Sequence, residues 1–225
     1  MTGGTGTVVR QARSEATRRR IMTSAVQLFN EIGYSATGLG DIIERAEMTK
    51  GALYYHFESK AALATAIIED GSASLLEAFG KIGDSSAPAM ERIIHGLFVV
   101  ADRLSTDEVA RSGVQLLRAF GEFNDAAAQT YSLWVDEMVR RVREAVDEGD
   151  LREDLDAEAV GETIVSAMLG AEVLSSATSS GVDVLQRLTR LWQVLLPAIV
   201  TDESLGYFRE YLGREAMRRS ARSAG

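Results

Sequence analysis

Apolar positions set the first expectations. Ile21, Met22, Ala25, Leu28, Phe29 and Ile32 follow the i, i+3, i+4, i+7 stripe of an amphipathic helix that starts at Ser14 and stops at Gly33. A short helix follows from about Thr37-Gly38 through Ile42, Ile43 and Ala46, with Asp41 in its first turn, where the helix dipole favours an anion. Thr49 can cap a third helix, which carries Leu53 and Phe57 at i, i+4. This sequence of elements outlines a helix-turn-helix unit. From Ser59 a longer stripe (Leu63, Ala66, Ile67, Leu75, Leu76, Phe79) predicts a helix leaving the unit, with Gly71 as a soft point and a loop over residues 80–88. Further helices are expected near residues 89–104, 107–122, 125–148, 156–178, 183–200 and 203–219, separated by clusters of Ser, Thr, Asp and Gly. Residues 1–9 are rich in Gly and Thr and are expected to fray.

Composition agrees with an all-α chain. It has 225 residues, 46% hydrophobic and 25% charged, with only two prolines, which suits one large domain or two smaller ones. There is no cysteine and only two histidines, His56 and His95, so neither a disulfide framework nor a thiolate or multi-histidine metal site is expected. No apolar run approaches the roughly 20 residues of a membrane helix, and the Met1-Thr-Gly-Gly start lacks the apolar core of an export signal. A cytoplasmic protein with no membrane partner is expected. The formal net charge of -9 is unevenly spread. Five arginines stand against one acid between Arg10 and Arg20; residues 1–60 carry a net +2 and the remainder -11. A basic head on an acidic body points to an anionic partner at one end.

The segment Met48-Thr-Lys-Gly-Ala-Leu-Tyr-Tyr-His-Phe-Glu-Ser-Lys60 sharpens that expectation. On a helix starting at Thr49, Leu53 and Phe57 share a buried face, while Lys50, Gly51, Tyr54 and Tyr55 lie on the other side. The tyrosines could merely cover the corner of the small core. Equally, Lys50 can reach a phosphate or a guanine edge, tyrosine hydroxyls can donate to phosphate oxygens, and Gly51 and Ala52 let a backbone approach closely.

Together with Gly33-Tyr34, Thr37, Asp41-Ile42, Ala46 and Leu63, this segment resembles the N-terminal DNA-binding domain of the TetR family of transcriptional regulators over residues 14–68. The resemblance implies a homodimer: three N-terminal helices bind a palindromic operator in double-stranded DNA, and a larger C-terminal helical domain dimerises and holds an inducer. The implied organisation is a disordered basic arm at 1–13, a DNA-binding domain at 14–60 and a ligand-binding and dimerisation domain at 61–220. Carried over by position, Thr49, Lys50, Gly51 and Ala52 begin the recognition helix, with Lys50 the base-contact candidate. Tyr54, Tyr55, His56 and Lys60 form the phosphate set, and Thr37 and Gly38 sit at the cap of the preceding helix. Two residues depart from the pattern. Gly38 stands where a second threonine is common, and Glu47 replaces a glycine in the turn and brings an acid near the phosphates.

In the body, Tyr131, Trp134 and Met138 lie along one face of the helix over 125–148 and would suit either a core or the wall of a mostly apolar pocket. The Trp134 helix, Met168-Leu-Gly170 and Leu191-Trp192 through Pro197 are similar to the gamma-butyrolactone autoregulator receptors, a group whose tryptophan in this helix lines the signal pocket. Apolar spacing adds Leu97, Leu116, Phe120, Met168 and Val173 as pocket candidates. Leu188, Trp192, Leu195 and Ile199, with Ile164, Met168 and Ala171, are expected to build a four-helix dimer interface or to pack within one subunit. No nucleophile beside a base, no phosphate-binding glycine loop and no metal-ligand spacing is present, so no enzymatic activity and no cofactor are expected. The leading expectation is a repressor released by a small apolar signal. Its alternatives are a regulator of efflux or catabolism with a drug-like inducer, for which Glu172 is the acid to examine, and a helical carrier or interaction module that does not bind DNA.

Overall fold

The computed structural model describes residues 4–81, 86–120 and 125–223, with side chains over 8–81, 86–119 and 127–219. Ten helices occupy the described residues: α1 (Gly4–Ile32), α2 (Leu39–Arg45), α3 (Lys50–His56), α4 (Lys60–Gly80), α5 (Ala89–Thr106), α6 (Glu108–Phe120), α7 (Asp125–Asp147), α8 (Ala157–Ser179), α9 (Val184–Ile199) and α10 (Asp202–Ser223). The one strand-like contact among them is an isolated antiparallel bridge between Leu151 and Val200. The fold is all-α, as the periodicity predicts.

Local chemistry explains most boundaries. Gly33, at φ +85°, closes α1 with its N–H on the Phe29 carbonyl. The Ser59 hydroxyl accepts the Ala62 N–H at the start of α4, and Asp156 accepts the Glu158 N–H at the start of α8. One boundary corrects the expectation: α1 starts at Gly4, so the arm over 4–13 is helical. No proline interrupts the stretch from Val8 to Arg20, and its Arg, Gln and Ala residues favour helix. Met1–Gly3 lie outside the described residues.

The chain divides into two compact units, one of Met1–Ser72 with Glu108–Ala127, the other of Ala73–Asp107 with Ala128–Gly225. In the first, Ile21, Ala25, Val26, Ile42, Ala46, Leu53, Leu63 and Ile67 are almost wholly buried. Each large aliphatic side chain removed from water in this way contributes about 1.5–3 kcal/mol before entropy is counted. α6 joins this unit against α1, where the Ser112 hydroxyl donates to Asn30 at 3.2 Å. It also crosses α4 at a pair of glycines: a Cβ on Gly71 would lie 3.0 Å from the Val109 carbonyl oxygen, and one on Gly113 would lie 3.0 Å from that of Ile67. Gly71 is therefore a point of close helix contact and not the soft point its composition suggests.

In the second unit, α9 packs on α8, α10 and α5. Its buried stripe is Val184, Leu188, Trp192, Leu196 and Ile199. The stripe expected at a dimer interface thus serves its own subunit: Trp192 and Leu188 are fully buried, and Ile164, Met168 and Ala171 of α8 are buried too. The large apolar side chains left exposed on these helices are Val173, Leu174 and Val194.

Candidate nucleic-acid interface

Tyr34 leads out of α1 and leans on Phe29, with ring centroids 5.1 Å apart. Thr37, expected at the cap of the second helix, is 1% exposed and donates its hydroxyl to the Gly33 carbonyl at 2.8 Å, so this side chain holds the loop. Gly38 is the N-cap of α2 and, lacking a side chain, offers no oxygen to the helix; Asp41 reaches back to accept the Gly38 N–H at 2.8 Å. α2 is tied to α1 by a bidentate pair, Arg45 with Glu31, at 2.7 and 2.8 Å. That hydrogen-bonded pairing holds the Glu31 carboxyl below its usual range.

The turn into α3 passes through Glu47 at φ 51°, a left-handed conformation that favours glycine. Its carboxylate meets the Arg20 guanidinium at 2.5 Å. The sequence flags Glu47 as a departure, but its partner lies 27 residues away on α1 and carries no signal in the periodicity.

α3 then does what its spacing predicts. The Thr49 hydroxyl accepts the Ala52 N–H at 3.1 Å, and Leu53 and Phe57 enter the core at 0% and 4% exposure. Lys50 and Gly51 are exposed, as are Tyr54 at 45% and Tyr55 at 75%, while Ala52 and His56 are half-buried. Lys50 Nζ lies 5.7 Å from the Tyr54 ring centroid, and no described carboxylate pairs with it. His56 sits edge to face with Tyr55 at 5.0 Å; burial, helped by nearby Arg18, lowers its pKa.

Lys60 is engaged within the fold. Its ammonium donates to the carbonyls of Tyr34 at 2.9 Å and Thr37 at 2.7 Å, and lies 4.4 Å over the Tyr34 ring. An ammonium bonded to these backbone oxygens fixes the α1–α2 loop. On α1, Arg18 pairs with Asp70 at 3.1 Å, whereas Arg10, Arg13 and Arg19 are exposed with no described carboxylate partner. The surface therefore combines unpaired cations with solvent-facing tyrosines, a chemistry suited to a phosphate backbone and base edges.

The proposed pocket residues are less convergent. Tyr131 and Trp134 are half-buried and meet edge to face at 5.8 Å, with Met138 buried one turn on. Leu97 and Met168 are buried, and Val173 is 40% exposed. Leu116 is buried in the first unit, and the Phe120 side chain lies outside the described residues. A cleft of about 510 Å³ in the second unit is lined by Leu76, Gly80, Leu133, Asp136, Glu137, Arg140 and Arg141, none of which the sequence nominated. Its arginines are already paired: Arg140 with Glu137 and Glu144, and Arg141 with Glu137 at 3.0 Å. Glu172 is buried and accepts the Ser176 hydroxyl at 2.8 Å. Among the described residues no group of His, Asp or Glu is placed to hold a metal ion, and no helix is long and apolar enough to cross a membrane.

Comparison with known proteins bears on both units. Residues 21–67 match the family model described as bacterial regulatory proteins, tetR family, and residues 86–201 match that of the tetracyclin repressor-like C-terminal domain. The A-factor receptor protein of Streptomyces griseus is 28% identical over 192 residues, 85% of this chain and 67% of that protein. A crystal structure of a gamma-butyrolactone receptor, an ArpA-like protein, superposes with a TM-score of 0.79 at 27% identity, covering 92% of this chain and 99% of that one. CprB from Streptomyces coelicolor, solved with its biological operator sequence, gives 0.77 at 26% identity over 91% of this chain and 98% of its own.

Proposed function

Because this chain belongs to the TetR family of bacterial regulatory proteins, we propose that it is a homodimeric repressor that holds a palindromic operator and releases it on binding a small apolar signal. The observation that carries the reading is the division of α3. Leu53 and Phe57 anchor it in the core, and Lys50, Gly51, Tyr54 and Tyr55 stand exposed on its other side. Lys50 contacts a base edge, Tyr54 and Tyr55 donate to phosphate oxygens, and Thr49 and Ala52 set the backbone that approaches the groove. Arg10, Arg13 and Arg19 add phosphate contacts along α1. In the dimer, two such helices enter successive major grooves about 34 Å apart.

The ligand follows from chemistry and likeness together. Tyr131 and Trp134 offer large apolar faces with polar tips, and the relatives include receptors for A-factor and gamma-butyrolactone. A signal of the butyrolactone or butenolide class seated beside Trp134 is the favoured inducer. Subunits join through the outward faces of α8 and α9, where Val173, Leu174 and Val194 stand exposed.

The deciding experiment is binding to the DNA flanking the protein's own coding region, compared with random fragments, with and without butyrolactone and butenolide extracts. A preferred fragment that is released by an extract, with a parallel change in Trp134 fluorescence, supports the reading. Failure of any fragment to bind better than random DNA sinks the repressor role. Release without any change in Trp134 fluorescence moves the ligand away from that site.

A further inference from the structure

Of the five arginines between Arg10 and Arg20, two are held by carboxylates: Arg18 by Asp70 and Arg20 by Glu47. The second pair is unusual in three respects. Glu47 occupies a left-handed backbone position without being glycine. Its side chain is 81% exposed, so packing does not account for it. It also stands three residues before Lys50, at the edge of the surface that meets DNA. A backbone conformation disfavoured for residues with a Cβ, kept at a functional surface, directs attention to what the side chain does there.

Resting on the repressor reading, we propose that Glu47 is a built-in competitor for DNA phosphate, whose carboxylate occupies the Arg20 guanidinium until a correctly registered phosphate displaces it. A carboxylate and a phosphate oxygen make the same charge-assisted contacts with a guanidinium, so one can substitute for the other. Displacement needs direct, well-aligned contact. An operator supplies that because base contacts fix the register of the duplex. Random DNA is held loosely by long-range attraction to its phosphates, and there the Glu47 pair persists and Arg20 stays unavailable. Glu47 thereby lowers affinity for random DNA more than for the operator and raises the ratio between them.

The test is a double-mutant cycle with Glu47→Gln and Arg20→Ala in the full-length protein, measuring affinity for random duplex and for the operator fragment across a salt series. Glu47→Gln is expected to raise random-DNA affinity roughly fivefold at low salt and to steepen the salt dependence by roughly 0.9 in log-log slope, the value of one added phosphate contact. The operator gain is smaller, so the ratio falls. In the Arg20→Ala background the same substitution gains less than about twofold. If the gain survives there, Glu47 acts by plain repulsion and the competitor idea is overturned; no gain on random DNA in either background overturns it as well. Glu47→Gly, which suits the left-handed turn, provides a second variant should glutamine unfold the head. If the wild-type protein shows no preferred fragment, the repressor reading fails, while the random-DNA arms still decide the role of Glu47.

Discussion

α3 and α9 are both amphipathic helices, and they use their aromatic residues in opposite ways. α3 has seven residues and leaves Tyr54 and Tyr55 in solvent while Leu53 and Phe57 hold it in place. α9 hides Trp192 completely between α8, α10 and α5, so fully that its indole N–H finds no acceptor among the described residues. An exposed aromatic has forgone the stabilisation of burial, so its position asks for a partner outside the fold. A buried one is accounted for by its own core.

The sharpest way to break this contrast is to truncate the buried member. Trp192→Ala is expected to cost about 3–5 kcal/mol of stability, the range for deleting a large core aromatic, seen as a fall in the denaturant midpoint. A loss below about 1 kcal/mol would show that the α9 stripe does not serve the subunit core. Next, Lys50→Ala should weaken operator binding by about 1–3 kcal/mol while shifting stability by less than about 0.5 kcal/mol. Equal losses in both would make α3 a structural helix like α9. Gly71→Ala forces a Cβ against the Val109 carbonyl and should cost about 1–3 kcal/mol by thermal unfolding.

The smallest expected effect is on the acid side of the body. Glu215 on α10 is buried and accepts from His95 of α5 at 2.9 Å and from Arg218 at 3.0 Å; the His95 hydrogen bond leads in holding its carboxyl below its usual 4.5. A depressed folded pKa means the stabilisation is complete above the unfolded value and is lost as pH falls through the folded one. Acid unfolding of the wild type should therefore be steeper below pH 4.5 than that of Glu215→Gln. Identical acid limbs would remove Glu215 from the account.

The same contrast explains what was legible in the sequence. The helices were, because turns of apolar spacing and caps such as Thr49, Ser59 and Asp156 are local signals. The two faces of α3 were legible for the same reason. Lys60 was not, because the carbonyls it serves at Tyr34 and Thr37 lie on a separate loop, and only the folded backbone turns them toward its ammonium. Nor was the use of α9: a stripe shows that a helix has an apolar face, and cannot say whether its own chain or a second copy covers it. Glu47 fell between these cases, visible as an oddity yet silent about Arg20.

The crossing of α4 and α6 at Gly71 and Gly113 has a mechanical consequence. Where side chains separate two helices, they can absorb a small shift by changing rotamer, as a cushion does. Here main chain rests on main chain, and glycine has no rotamer to change. The joint leaves little slack between α6 and the helix that follows α3, and a methyl group added at either glycine would push the two helices apart by a few tenths of an ångström.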